Sequence, residues 1–282
     1  MEKPRGAEVR TPAISADRAG SVRLGDRSVH RLGLGTNRIT GTEESRALLR
    51  RAVELGVDFI DTADVYQSNA SEQTIGTTVR GSVGGVLIAT KGGMLRGPNG
   101  FGVNGHPDHL RQAIEGSLQR LGVEVLELYQ LHRVDPAVPI ETSLGVLEEM
   151  RTAGRIRRVG LCNVTVEEIE RARRVTSIVS VQNQYNLLER EHESVLEYCE
   201  EHSIVFIPWT PLGRGDLSGS KALAEIAQHY GVTTHQLALR WLLRRSPMIL
   251  PIPGTLSVPH LEENLASAAI DLREDDFQRL SA

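Results

Sequence analysis

The chain has 282 residues, 40% of them hydrophobic, and a formal net charge of −4. That length buries a large core without staples, and so mild a charge gives no reason to expect nucleic acid or a membrane surface as partner. Its two cysteines, Cys162 and Cys199, form neither a CxxC pair nor a zinc spacing, so they read as reduced thiols of a cytoplasmic protein and no metal site is expected.

Residues 1–20, MEKPRGAEVRTPAISADRAG, lack the apolar core of a signal peptide and read as a loose leader. No apolar run approaches the ~18 residues of a membrane span. Residues 21–282 then read as a single domain. SVRLGDRSVH (21–30) predicts a β-hairpin turning at Gly25-Asp26. RLGLGTN follows, and then a helix over 43–55 stopped by Gly56. Further β-like runs fall at 57–61, 85–91, 125–131, 156–162, 178–184, 204–209 and 248–253. Between them apolar residues recur at helical spacing. Leu110, Ile114, Leu118 and Leu121 predict a helix over 107–121, and Leu144, Leu147 and Met150 one over 142–153. Thr165-x-x-Glu168 and Thr233-x-x-Gln236 are capping-box patterns opening helices over 165–174 and 233–245. A last helix is expected over 273–280.

With RLGLGTN included, the alternation gives eight β/α units. Alternating strands and helices of this kind make a parallel sheet, and the near-continuous apolar strands are those of a sheet covered on both faces. Eight such units fit an α/β fold, a closed (β/α)8 TIM barrel with an N-terminal β-hairpin. No strand is followed by GxGxxG, which argues against an open dinucleotide-binding sheet.

In a barrel of this type the chemistry sits at the carboxyl ends of the strands. The polar residues there are Asp61, Thr62, Asp64 and Tyr66, then Lys91, His132, Arg133, Cys162, Asn163, Gln182 and Trp209. Taken singly, Asp61 could cap a turn, Lys91 could be a solvated strand end and His132 a core histidine. Together an Asp, a Tyr, a Lys and a His at the ends of successive strands suit proton transfer. Reduction of a carbonyl builds negative charge on its oxygen, which then needs a proton. A tyrosine is a serviceable acid for this, and a nearby ammonium stabilises the phenolate it leaves.

FIDTADVY (59–66), IATK (88–91) and LYQLHR (128–133) resemble the catalytic signatures of the aldo-keto reductase superfamily. GLCN, QNQYNLL, PLGRG and IPGT…HLEEN resemble its cofactor-binding segments, in order. The resemblance implies an oxidoreductase that uses NADP(H) to reduce a small aldehyde or ketone to an alcohol. Tyr66 would be the general acid, with Lys91, Asp61 and His132 in support. QNQYNLL and IPGT…HLEENL are similar to the bacterial pyridoxal-reductase-like branch; the resemblance does not specify the substrate, and the candidates are a pyridoxal-like or a secondary-metabolite carbonyl.

By the same resemblance, Asn163 and Gln182 would hold the nicotinamide carboxamide and Trp209 would stack on the ring. Thr210, Pro211, Leu212, Gly213, Arg214 and Gly215 would follow the pyrophosphate. Gly254, Thr255, Ser257 and His260 would surround the adenosine 2′ position, and Glu263 and Asn264 would meet the adenine. Gly35, Thr36, Asn37 and Asp61 complete the cofactor set. Asn37, Tyr66, Met94, His132 and Arg133 would line the substrate pocket, beneath a mobile cap at 94–107. Two departures stand out. Cys162 occupies a position where many relatives have serine. The segment 254–264 contains no Lys or Arg, where many relatives place both on a 2′-phosphate; here those positions are Gly254 and His260. The alternative is a non-catalytic redox-sensing or regulatory subunit of the same fold. Nothing in the sequence demands an oligomer, and a monomer is expected.

Overall fold

The period-two alternation of each strand sorts its residues between two apolar layers. Phe59, Leu87, Ala89, Leu128, Val205, Ile207, Leu250 and Ile252 pack together inside the sheet. Their neighbours Ile60, Tyr129, Leu131, Val159, Leu161, Val181 and Phe206 face outward and pack under the helices. The computed structural model describes residues 14–79, 81, 85–97 and 100–282. Its barrel strands are Leu34–Gly35, Phe59–Asp61, Leu87–Gly92, Leu128–Leu131, Val159–Cys162, Ile178–Gln182 and Val205–Phe206, all parallel and adjacent in that order.

The eighth strand closes the barrel by isolated bridges rather than a regular ladder. Phe206 pairs with Ile249 on one side, and Gly35 pairs with Gly254 on the other. The reason lies in its prolines. Leu250 donates to the Phe206 carbonyl at 2.9 Å. On the opposite edge Pro251 and Pro253 have no N–H and only accept, from Gly33 at 3.0 Å and Gly35 at 3.4 Å. The seam with the first strand is therefore bonded in one direction, yet it closes the barrel expected from the sequence.

The expected hairpin is present as Ser21–Leu24 paired with Arg27–His30. Gly25 takes φ +65° at its turn, a conformation that favours glycine. Val22, Leu24 and Val29 join the interior cluster and plug the base of the barrel. Outside the barrel lie α1 (Glu43–Glu54), α2 (Ala70–Val79), α3 (Pro107–Leu121), α4 (Ile140–Thr152), α5 (Val166–Arg173), α6 (Glu193–Glu201), α7 (Lys221–Tyr230), α8 (Thr234–Arg245), α9 (Val258–Ala266) and α10 (Glu274–Ser281). Both capping boxes form: Thr165 with Glu168 opens α5, and Thr233 with Gln236 opens α8.

Two segments differ from expectation. Residues 1–13 of the expected leader lie outside the described residues. Its last part is not loose: Ala16–Ala19 forms a 3-10 turn with Ala16 and Ala19 buried, and Ala16 donates to the Leu55 carbonyl at 2.9 Å. Small side chains let this turn lie flat on the end of α1. The expected mobile cap is an antiparallel ribbon, Met94–Gly97 paired with Gly100–Val103. Its glycines pair across the ladder instead of loosening it, and Asn104 donates to Gly93 at 2.9 Å to close its base.

The seam at Gly35 leaves no room for a side chain. A Cβ there would lie 2.6 Å from the Ile252 carbonyl oxygen, a backbone atom that cannot swing away. Gly35→Ala is expected to destabilise the fold by about 1–3 kcal/mol, the usual cost of overpacking. Urea denaturation of both proteins measures it.

Candidate active site

The same parity that fills the base of the barrel with apolar side chains puts polar ones at its mouth. Asp61 lies two residues beyond inward-facing Phe59, and Lys91 two beyond Ala89. Lys91 is fully buried. Its Nζ donates to Asp61 Oδ2 at 2.8 Å, to the Thr62 carbonyl at 2.7 Å and to the Tyr66 hydroxyl at 3.3 Å. Burial works against the ammonium, but Asp61 and Tyr66 outweigh it and hold Lys91 above its ordinary range.

Tyr66 follows the opposite balance. Burial pushes its hydroxyl up to about 12, against the lowering pull of Lys91. The ammonium still favours phenolate, but the low-polarity surroundings disfavour it more. His132 is 9% exposed, and burial, with the charges of Lys91 and Arg133, pushes it well below the usual range. Its ring meets that of Tyr66 edge-on, with centroids 5.9 Å apart. A protonated phenol and a neutral imidazole thus stand side by side at neutral pH. One can give a proton, and the other can donate a hydrogen bond without competing charge.

Further residues brace this group. Gln182 Nε2 donates to Asp61 Oδ1 at 2.8 Å, so Gln182 holds the free side of the carboxylate. Thr36 Oγ1 donates to the Asp61 carbonyl at 2.7 Å and lies 2.9 Å from Ser71 Oγ, which also meets Thr62 Oγ1 at 2.8 Å. Ser71, absent from the sequence reading, joins two strand ends to α2. Behind Lys91, the fully buried Glu72 accepts Thr90 Oγ1 at 2.5 Å and Arg120 Nε at 2.6 Å. Neither Ser71 nor Glu72 has a local sequence signal, because each also has a partner on another unit of the barrel: Thr36 for Ser71, and Thr90 and Arg120 for Glu72. Burial and then the Glu72 charge push the Asp64 carboxyl up to about 7. Cys162 is buried and its thiol is pushed up to about 12, chiefly by burial, so it is not a thiolate at neutral pH.

Around the rim, Asn163 takes φ +56°, donates to the His132 carbonyl at 3.1 Å and accepts Trp209 Nε1 at 3.0 Å. These contacts fix the Trp209 indole close to His132. Asn37 is exposed, and its carbonyl accepts Gln67 Nε2 at 2.9 Å, which ties the first loop to the Tyr66 loop. Met94 starts the ribbon just beyond Lys91, and Arg133 is exposed beside His132. Pro211 and Leu212 lead into three successive left-handed residues: Gly213, Arg214 and Gly215, at φ +55°, +59° and +94°. Glycine at 213 and 215 answers that backbone requirement as well as any close approach of a ligand.

At the far end, Ser257 Oγ caps α9 by accepting the His260 N–H at 3.4 Å, and Thr255 Oγ1 accepts the Ser257 N–H at 3.0 Å. Asn264 is buried, while the Glu263 carboxylate accepts Thr233 Oγ1 at 2.6 Å and is thus braced against α8. Two buried polar atoms on this rim, His132 Nδ1 and Thr210 Oγ1, have no hydrogen-bond partner among the described residues. A long polar ligand lying from His132 along 210–215 toward Thr255 fits that arrangement, and a nicotinamide dinucleotide has the required shape and hydrogen-bonding groups.

The sequence model of the Aldo/keto reductase family matches residues 31–282, and the chain belongs to that family. An uncharacterized oxidoreductase of Schizosaccharomyces pombe is 43% identical, covering 95% of this chain and 91% of its own length. Pyridoxine 4-dehydrogenase of Escherichia coli is 36% identical, covering 91% of this chain and 96% of its own. The crystal structure of an aldo/keto reductase from Klebsiella pneumoniae, in complex with NADP and acetate, is 28% identical, with a TM-score of 0.80. That match covers 92% of this chain and 93% of the other. The chain is thus an oxidoreductase of the family that its strand-end motifs resemble. No helix among the described residues is long and apolar enough to cross a membrane.

Two outcomes follow from the buried charges. Removing Asp61 strands an ammonium in the core, so Asp61→Ala is expected to lose about 3–5 kcal/mol of stability. Asp61→Ala combined with Lys91→Met should recover most of it, because no charge then remains unpaired. A double-mutant cycle by urea denaturation measures both. Asp64 gives a pH signature. Its carboxyl holds its proton more tightly folded than unfolded, so its stabilising contribution is full below about pH 4 and is lost as pH rises through about 7. Asp64→Asn should therefore flatten the decline in unfolding midpoint between pH 4.5 and 7.5, roughly the window those values define. An equally steep decline in the variant would remove Asp64 as its source.

Proposed function

We propose that this protein reduces an aldehyde or ketone to the corresponding alcohol with NADPH, and that Tyr66 is the proton donor. The observation that carries the proposal is the contact of Lys91 Nζ with both Asp61 and the Tyr66 hydroxyl, beside a neutral His132. Bound along the rim, the nicotinamide nucleotide supplies the hydride. The carbonyl oxygen sits between Tyr66 and His132, where the imidazole N–H donates to it and polarises it. As charge builds on that oxygen, the Tyr66 hydroxyl gives up its proton. Lys91 stabilises the phenolate left behind, and Asp61 keeps Lys91 charged and in place. Solvent then returns the proton to Tyr66.

With its hydroxyl pushed up to about 12, Tyr66 carries its proton near neutral pH, as reduction requires. The acid form is fully populated there, whereas alcohol oxidation needs the phenolate. Asn163, Gln182 and Trp209 are assigned to the nicotinamide end, 210–215 to the pyrophosphate, and Gly254, Thr255, Ser257, His260, Glu263 and Asn264 to the adenosine end. The similarity to pyridoxine 4-dehydrogenase makes pyridoxal the first substrate to assay. Tyr66→Phe should keep NADPH affinity, measured by cofactor fluorescence, while kcat falls by at least ~10²-fold, the low end for loss of a general acid. Near-normal turnover in that variant would remove Tyr66 from the reaction.

A further inference from the structure

The segment after the eighth strand lacks a fixed cation, yet the fold delivers one from elsewhere. Arg38, in the loop that follows the first strand, donates through Nη2 to the Gly254 carbonyl at 2.9 Å. The two residues are 216 positions apart and meet because Gly35 and Gly254 pair across the closing seam. Arg38 is exposed, and among the described residues no carboxylate lies within ion-pair distance of it. Only one of its five N–H donors is committed to that carbonyl, so its fork remains open to an anion.

The surroundings favour an anion at this point. Thr255 and Ser257 place two hydroxyls just beyond Gly254. The nearby carboxylates of α9 are engaged elsewhere: Glu262 accepts Arg51 Nη2 at 2.8 Å, and Glu263 accepts Thr233. Position 254 itself could not easily carry the cation. A Cβ there would lie 3.1 Å from the Gly35 carbonyl oxygen and 3.6 Å from Asn37 Oδ1.

We infer that Arg38 is the residue that grips the 2′-phosphate of NADPH, and hence the one that selects NADPH over NADH. The inference rests on the placement of the adenosine end proposed above. A guanidinium anchored by one N–H on Gly254 keeps paired donors for phosphate oxygens, a geometry that a lysine ammonium does not reproduce. The charge missing from 254–264 is thus supplied across the seam.

The test titrates the full chain with NADPH and with NADH, following cofactor fluorescence, for wild type, Arg38→Ala and Arg38→Lys. Arg38→Ala should weaken NADPH by about 10-fold or more, the usual effect of losing a hydrogen bond to a charged group, and leave NADH within about twofold. Arg38→Lys should restore only part of the difference. Circular dichroism melting of each variant checks that the fold is kept, since Arg38 is exposed and outside the core. Equal weakening of both nucleotides would place the guanidinium on the shared pyrophosphate and overturn the inference, as would unchanged affinity for both. Wild-type protein that binds neither nucleotide would overturn the proposed function itself.

Discussion

A fully buried ammonium is the constraint on which the barrel mouth depends. Removing Lys91 from water carries a desolvation cost that only close partners can offset. Asp61 supplies the countercharge, Thr62 a carbonyl and Tyr66 a hydroxyl, each within hydrogen-bond distance. Satisfying the lysine therefore fixes where the Tyr66 hydroxyl sits. Asp61 is held in turn by Gln182 from the sixth strand and by Thr36 from the first. A single buried charge thus ties at least four strands of the barrel into one arrangement, with little freedom left to the reacting groups.

The barrel separates stability from chemistry along its axis. Inward side chains are apolar at the base, where the hairpin seals them, and polar at the mouth. The two halves alternate on the same strands, so the active site rests directly on the packed interior. Burial does different things to the four groups it encloses. It keeps Tyr66 protonated and His132 neutral, while the ion pair keeps Lys91 charged. The proposed roles of proton donor, hydrogen-bond donor and electrostatic support rest on that division of environments.

Much of this was legible in the residues. Period-two and period-3.6 spacing located the strands and the major helices, and both capping boxes formed as written, because those signals are local. Asp61, Tyr66, Lys91 and His132 were visible as polar residues following apolar runs. The ribbon at 94–103 was not foreseen, since glycine content reads as looseness until a partner strand is present to pair with it. The turn at Ala16–Ala19 was missed for a similar reason: its order comes from packing on α1, and nothing in its own composition shows that.

The sequence by itself determined which residues face inward and which outward, the order of the β/α units and which polar side chains stand at the strand ends, since each depends on near neighbours in the chain. Tertiary structure alone decided how those side chains are charged, because desolvation and distant ion pairs set the balance that raises Tyr66 instead of lowering it. It also decided which distant residues meet: Gln182 with Asp61 across the barrel mouth, Arg120 with Glu72 between neighbouring helices, and Arg38 with Gly254. The last of these arises only when the eighth strand closes against the first. That closure depends on a seam of glycines and prolines whose register no local pattern encodes.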